Sequence, residues 1–193
     1  QYDDFIYSPV IKKEILEASP NDKGYVTVYL SHYSDEIVAA QLNKISGIRF
    51  EVFSKNVKQI TVQNNITFIP LDGKAFNKSM INCTGVLTGA GFETPAEALY
   101  MNKKLMCLPI KGQYEQLCNA EALKEFNVPI ISSIDNQFSS VIDSWLNGEP
   151  QKKLLLNQST EQIVSKVINS ALSLRNGINL QTEYSFIQPS FQY

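Results

Sequence analysis

The sequence has little histidine, little cysteine and no metal-ligand spacing. His32 is the only histidine, which leaves almost no room for a His-rich zinc site and limits any histidine-based triad to that position. Cys83, Cys107 and Cys118 are odd in number, and each lies in or beside an apolar segment. We therefore expect three reduced core thiols and no bound metal.

The sequence also lacks a block of like charge, a long apolar run and an initial methionine. Seventeen basic residues against nineteen acidic ones give a net charge of −2, so we expect no nucleic-acid partner. Apolar runs such as KKLMCLPI are far shorter than the roughly 20 residues that cross a bilayer. Because Gln1 opens the chain without a signal-peptide pattern, we expect a cytoplasmic piece of a longer protein.

What the sequence does contain is a regular alternation of strands and helices. Apolar and β-branched runs predict six strands, at 24–30, 48–53, 65–71, 85–88, 104–110 and 128–132. Between and after them, helical periodicity predicts helices at 34–45, 72–82, 95–101, 114–126 and 161–176. This pattern predicts an α/β fold, a Rossmann-like doubly wound parallel sheet of about six strands with helices on both faces.

Two flanking segments differ from this alternating core. Residues 1–23 contain two prolines and are expected to be an interdomain linker with a short helix. Residues 24–175 form the predicted domain, in which Ser159 and Gln162 make a capping-box pattern before the last helix. Residues 176–193 are an aromatic-rich tail that we expect to pack on this domain or on an absent neighbour.

A glycine loop follows the predicted strand at 85–88. Gly89 and Gly91 bracket Ala90, but Thr94 stands where a dinucleotide-binding fingerprint needs its third glycine. Small residues at this position would let phosphates approach the backbone at a helix N-terminus. A tight turn into a helix explains the same residues, so the loop alone does not identify a ligand.

The segment TPAE after this loop has two interpretations. In the first, Thr94 is the N-cap, Pro95 takes the first helical position and Glu97 completes a capping box. In the second, Glu97 faces the cleft, where its carboxylate would accept two hydrogen bonds from a vicinal diol such as a ribose.

A second polar loop follows the predicted strand at 104–110. Gly112 bends the chain into a helix whose first turns carry Glu115, Gln116 and Asn119. These side chains fit an ordinary solvated helix start. Because the loop ends at the same edge of the sheet as the glycine loop, they also fit a site for a hydroxyl-rich ligand.

GAGFETPAEAL and LPIKGQYEQLCNA together resemble the donor-binding C-terminal half of two-domain nucleotide-sugar glycosyltransferases of the GT-B fold. The nearest resemblance is to the family 28 type that adds N-acetylglucosamine to the lipid-linked peptidoglycan precursor. The layout is similar over residues 25–175, and the motif-specific part is 85–123. The resemblance implies an inverting transferase that uses a UDP-sugar, transfers a hexose or N-acetylhexosamine, and needs no cofactor or metal in this domain.

The resemblance also implies roles for individual residues. The glycine loop would lie near the donor diphosphate with Thr94 supporting it, Glu97 would hold the ribose, and Glu115 with Gln116 would contact the transferred sugar. Asn119 would pack or bind beside them, and the uracil would meet backbone near 68–71. The implied donor-binding set is Gly89, Ala90, Gly91, Phe92, Thr94, Glu97, Glu115, Gln116 and Asn119.

The sequence departs from this family in two ways. The segment SHYSDE after the first strand has no glycine, and His32 and Ser34 stand there instead, which makes His32 a weak candidate for a phosphate or acceptor contact. We expect the N-terminal acceptor domain, where the family keeps its catalytic base, to lie outside this sequence. The catalytic residues are therefore unknown, this domain alone is expected to be inactive, and any membrane contact would belong to the absent domain.

Three other functions remain open. The first alternative is a non-catalytic nucleotide-sugar-binding subunit that docks on a separate acceptor-binding partner. A nucleotide-sugar epimerase shares the fold but needs acid and base residues that the sequence does not supply. The last possibility is an α/β domain whose glycines and helix caps have only a structural role.

Overall fold

The computed structural model describes residues 7–175, which divide into a compact unit from Pro9 to Leu156 and a separate unit that includes residues 7–8 and 157–175. The strands are β1 Tyr25–Tyr29, β2 Arg49–Ser54, β3 Thr61–Gln63, β4 Ile66–Pro70, β5 Gly85–Thr88 and β6 Lys104–Cys107. The helices of the first unit are α1 Lys13–Leu16, α2 Asp35–Leu42, α3 Gly73–Asn82, α4 Glu93–Tyr100, α5 Tyr114–Leu123 with a 3-10 turn Lys124–Phe126, and α6 Phe138–Asn147. The second unit contains α7, Thr160–Arg175.

The six strands form one sheet in the order β3-β4-β2-β1-β5-β6. All neighbouring pairs are parallel except β3 and β4, which are antiparallel. The prediction of a doubly wound α/β sheet is confirmed. Strands β2, β4 and β3 lie on one side of β1, and β5 and β6 lie on the other. The strand order therefore reverses between β1 and β5.

Two apolar cores cover the two faces of the sheet because successive strand residues point to opposite sides. On one face Val26 and Val28 pack with residues of α2 and α6, including Leu42 and Ile142. On the other face the core is built on residues of α3, α4 and α5. Helices therefore lie on both faces, as the long apolar strands indicate.

The segment before β1 is part of this second core. Ile11 and Ile15 are 3% and 1% exposed and pack in the same cluster as Met80 and Leu99. Residues 9–16 therefore lie on the sheet unit, although the sequence predicts a linker over 1–23. The boundaries at 24 and 175 stay predictions, and the predicted tail at 176–193 lies outside the described residues.

Several predicted elements differ from the structure. Residues 128–132 do not form a strand but a single bridge between Ile130 and Cys107, and Pro129 has no N–H to extend a ladder. Two elements were not predicted. They are β3, which has only three residues, and α6, whose buried Phe138, Ile142 and Trp145 follow helical spacing. Each missed element lies between recognised ones.

The outer edge of β6 is hydrogen bonded by non-strand groups. The Cys107 N–H donates to the Pro129 carbonyl at 3.0 Å, and the Ile131 N–H donates to the Cys107 carbonyl at 3.0 Å. Two residues earlier on β6, the carboxamide of Gln151 accepts from the Leu105 N–H at 2.6 Å and donates to the Leu105 carbonyl. Gln151 thus replaces a neighbouring strand for one residue.

Two of the three cysteines are buried as predicted, and the third is not. Cys83 and Cys107 are buried, and burial raises the pKa of Cys107 to about 12. Cys118 is exposed, so its prediction as a core thiol is wrong, because α5 faces the core through Ala120 and Leu123 instead.

The second unit is described by itself. Reciprocal hydrogen bonds of Ser159 and Gln162 confirm the capping box that starts α7. Val164, Val167 and Ile168 on this helix are each about half exposed. Over residues 7–175, no helix combines the length and apolar character that crossing a membrane requires.

Gly85 allows Trp145 to pack against the sheet. A Cβ at this position would lie 2.9 Å from the Cη2 atom of Trp145 and 3.0 Å from the Cβ of Lys104. Trp145 is buried, so we expect Gly85→Ala to lower the free energy of unfolding by about 1–3 kcal/mol through overpacking. Gly73→Ala is the matched control because Gly73 opens α3 with no atom within 4 Å of the added carbon. Urea unfolding of both variants measures the difference, and equal midpoints would contradict it.

Candidate functional site

Three loops meet at the carboxyl edge of the sheet where the strand order reverses. The β1–α2 loop spans residues 30–34, the β5–α4 loop spans 89–92, and the β6–α5 loop spans 108–113. Because β1, β5 and β6 are consecutive neighbours in a parallel sheet, their following loops lie at the same edge. This edge is the candidate site, as the sequence predicts.

Gln116 joins two of these loops through one oxygen atom. Its Oε1 accepts hydrogen bonds from the Ala90 N–H at 3.1 Å and from the Ile110 N–H at 3.0 Å. Its Nε2 donates to Oε1 of Gln113 at 2.8 Å. The predicted sugar-binding side chain therefore also fixes the distance between the glycine loop and the β6–α5 loop.

Asn119 and Gly89 complete this connection. Asn119 Nδ2 donates to the Ala90 carbonyl at 3.1 Å, so both backbone polar groups of buried Ala90 are held by side chains of α5. A Cβ on Gly89 would lie 3.1 Å from Gln116 Oε1, closer than most real Cβ contacts. Gly89 is thus explained by the close approach of Gln116, whereas a Cβ on Gly91 would meet nothing within 4 Å.

The start of α4 differs from the predicted cap. The helix begins at Glu93 with Phe92 as its N-cap residue, and no side chain caps it. Thr94 and Pro95 lie inside the first turn, so the interpretation of Thr94 as N-cap and Glu97 as capping-box acid is wrong. Because that interpretation fails, the burial of Glu97 needs another cause.

Glu97 is paired with Lys12 from the segment before α1. Its side chain is 2% exposed, and Lys12 Nζ lies 3.1 Å from Oε1 and 3.2 Å from Oε2. The Lys12 N–H also donates to Oε1 at 3.4 Å. Both carboxylate oxygens are therefore engaged by one residue that lies 85 positions away in the sequence.

Lys12 carries the positive charge of this cluster. Its ammonium also lies 3.3 Å from Oε2 of Glu93, which is mostly exposed. Burial lowers the pKa of Lys12, but hydrogen bonds and attraction from Glu97 and Glu93 outweigh it and raise the pKa above the ordinary lysine value. Lys12 is the residue of this cluster that sequence reasoning missed, and no local signal marks it.

Exposed side chains surround the joined loops. Glu115 lies exposed in the first turn of α5, where the helix dipole favours a carboxylate. Phe92 is 56% exposed and Tyr114 is 81% exposed. These groups, unlike Glu97, are open to a ligand in the structure as it stands.

The β1–α2 loop offers fewer free groups. Ser34 Oγ accepts from the Ile37 N–H at 3.4 Å, so it caps α2 as predicted. His32 is exposed with its ring 4.4 Å from that of Tyr33, and partial burial lowers its pKa. Phe68 in the segment expected near uracil is buried, whereas Leu71 is 39% exposed. Among residues 7–175, no group of three His, Cys, Asp or Glu side chains is arranged to hold a metal ion.

Comparisons with known proteins give one matching family and several similar solved structures. The family model described as Glycosyl transferase family 1 matches residues 1–150. The solved structure of spinosyn forosaminyltransferase SpnP is 12% identical with a TM-score of 0.52, covering 85% of this chain and 48% of that one. Glycosyltransferase SnogD from Streptomyces nogalater is 10% identical, with a TM-score of 0.46 and coverages of 84% and 46%.

A third solved structure, glycosyltransferase VinC in complex with DTDP, is 13% identical with a TM-score of 0.45 and coverages of 72% and 37%. The chain thus spans less than half the length of each of these three proteins. No curated protein matches the sequence.

The Gln116 connection predicts a coupled loss of order. In Gln116→Leu, the buried Ala90 N–H loses its acceptor, so we expect a loss of about 1–3 kcal/mol in unfolding free energy. The amides of Ala90 and Ile110 should also exchange with deuterium faster together. Gln113→Leu is the control because it removes only an exposed acceptor. Unchanged exchange at both amides would show that the loops are held by other contacts.

The pairing of Lys12 predicts a pH-dependent contribution to stability. Because the pKa of Lys12 is raised on folding, its contribution is fully present below the ordinary value of 10.5 and is lost as pH rises through the higher folded value. We expect Lys12→Met to be less stable than wild type at neutral pH, with the gap closing above that folded pKa. Denaturant unfolding across this range tests it, and a gap that does not change with pH would be contrary evidence.

Proposed function

The chain belongs to the family described as Glycosyl transferase family 1, and from this we propose that it binds the UDP-sugar donor for an inverting transfer of a hexose or N-acetylhexosamine to an acceptor. The observation that carries the proposal is the joining of the glycine loop to the start of α5 by Gln116 and Asn119. It assembles the two motif-bearing loops at the reversal point of the sheet, where ligands of such folds bind.

The donor diphosphate is assigned to the glycine loop and the start of α4. The first N–H groups of a helix have no partner within the helix, and they carry the positive end of its dipole. The space beside Gly91 is open, since a Cβ at this position would meet nothing within 4 Å. A helix terminus of this kind would stabilise a leaving diphosphate without a metal, so we propose a metal-independent and cofactor-independent reaction.

The transferred sugar is assigned to the first turn of α5. Glu115 is exposed and would accept hydrogen bonds from sugar hydroxyls. Gln116 has one Nε2 hydrogen left after donating to Gln113, so it would donate that hydrogen while keeping its loop contacts. N-acetylglucosamine is the proposed sugar because the two motifs most resemble transferases of the peptidoglycan precursor.

The nucleoside is assigned to Glu97 and the segment at 68–71. Glu97 would take the two ribose hydroxyls, which requires its carboxylate to become free of Lys12. Catalysis is assigned to an acceptor-binding domain outside this chain, so we propose that the chain alone binds donor but does not turn it over. The cytoplasm, where sugar nucleotides would be used, is the proposed location, and a membrane would be met only through that other domain.

Calorimetric titration of the chain with UDP, UDP-N-acetylglucosamine and ADP tests the assignment. We expect the uridine compounds to bind in the micromolar to low-millimolar range, more tightly than ADP. Glu97→Ala should weaken uridine binding about tenfold or more, since it removes both acceptors for the diol. Glu115→Ala should weaken UDP-N-acetylglucosamine but not UDP.

Glu121→Ala is the matched control for both variants. It removes an exposed carboxylate of α5 that pairs with Lys124, two turns from the loop, and it should leave every affinity unchanged. If no nucleotide binds while the variants keep the wild-type circular dichroism spectrum, the donor-site proposal is wrong.

A further inference from the structure

We propose that Lys12 is a displaceable counter-ion of Glu97, and that the ribose of a bound donor must displace it. The inference rests on the proposed function, because it concerns the carboxylate assigned to the ribose. It adds Lys12, a residue outside both motifs, which sets the affinity of the nucleotide site and its preference for a ribose with both hydroxyls. Its basis is the set of contacts between Lys12, Glu97 and Glu93.

The first step is that Lys12 takes three of the about four accepting positions of the Glu97 carboxylate, which leaves too few for both hydroxyls of a diol. Lys12 Nζ contacts both oxygens at 3.1 and 3.2 Å, and the Lys12 N–H contacts Oε1 as well. A diol needs the same two oxygens, because each hydroxyl donates one hydrogen bond. The Glu97 side chain is also only 2% exposed, so a ribose cannot reach it while the ammonium is in place.

The second step is that the Lys12 side chain is free to move while its backbone is not. Ile11 and Ile15 are almost fully buried and hold the segment on the domain. The Lys12 side chain is 44% exposed and ends on a flexible four-carbon stem. Its ammonium can therefore swing outward without unfolding the segment, whereas the N–H contact to Oε1 stays.

The third step is that Lys12 keeps a partner after it leaves. Glu93 Oε2 already lies 3.3 Å from the ammonium, and the Glu93 side chain is 73% exposed. An outward movement would retain this pair and give up only the pair with Glu97. Displacement therefore exchanges one buried ion pair for hydrogen bonds from the ribose, without leaving an isolated lysine charge.

The direction of the effect follows from the cost of an unpaired buried charge. In Lys12→Met the Glu97 carboxylate of the free protein keeps, among residues 7–175, only the N–H of residue 12 as a donor, which is unfavourable in a buried position. A ribose then supplies the missing donors and meets no competitor. The variant should bind a ribose-containing nucleotide more tightly, although its free form is less stable. If Lys12 instead served only to orient Glu97, its removal would weaken binding.

The test compares two nucleotides that differ only in the diol. The full chain as wild type, Lys12→Met and Lys13→Met is titrated with UDP and with 2′,3′-dideoxyuridine diphosphate. Both ligands carry the same diphosphate, so the ratio of their affinities isolates the ribose hydroxyls. Lys13→Met is the matched control, because it removes the same charge one position away and Lys13 pairs only weakly with Glu17 at 3.7 Å.

We expect the affinity ratio to rise about five- to tenfold in Lys12→Met and to stay at the wild-type value in Lys13→Met. A ratio that is unchanged or falls in Lys12→Met overturns the inference. If UDP binding is lost in Glu97→Ala while the ratio does not respond to Lys12, the donor site stands and only the counter-ion role is wrong. If neither nucleotide binds to the wild type or to either variant, both the proposed function and this inference are wrong.

A measurement on the wild-type chain covers the case in which Lys12→Met does not fold. With isotope-labelled lysine, the side-chain resonance of Lys12 should shift on addition of UDP and shift less with the dideoxy analogue. A Lys12 resonance that responds equally to both ligands, or to neither while UDP binds, overturns the inference.

Discussion

The carboxamide oxygen of Gln116 is the contact on which the candidate site depends, because it is the shared acceptor for backbone groups of two loops. Parallel strands align their loops at one edge but do not set the distance between them. Gln116 sets it, Asn119 adds a second bond to Ala90, and the lack of a side chain on Gly89 makes the approach possible. The two sequence motifs are thus parts of one hydrogen-bonded unit.

If Glu97 binds a ribose as proposed, its pair with Lys12 creates a conflict between stability and binding at the same carboxylate. A buried acid needs a cation when no ligand is present, whereas a ribose needs the acid free. An internal lysine whose side chain is partly exposed would satisfy both demands in turn. Under this proposal the segment from residue 9 to 16 would take part in the donor site as well as in the core.

Local sequence patterns predict the sheet well, because β-branched runs and helical periodicity depend on neighbouring residues. The caps of α2 and α7 were found for the same reason. The prediction failed where distant contacts decide the structure. The pairing of Lys12 with Glu97 across 85 residues leaves no local signal. At 128–132 the local signal was Pro129, which has no N–H to extend a ladder, and the apolar run around it outweighed that signal in the prediction. The predicted cap at Thr94 is wrong because the helix starts two residues earlier than predicted, at Glu93, without a capping side chain.

The hydrogen bonds on the outer side of β6 bear on how the protein avoids self-association. An open strand edge offers unpaired N–H and C=O groups to the sheet of another molecule, which is a route to aggregation. Gln151 and the residues around Ile130 already occupy these groups on β6. At the opposite end, β3 is only three residues long and antiparallel. The sheet therefore ends in two surfaces that are poor templates for a seventh strand.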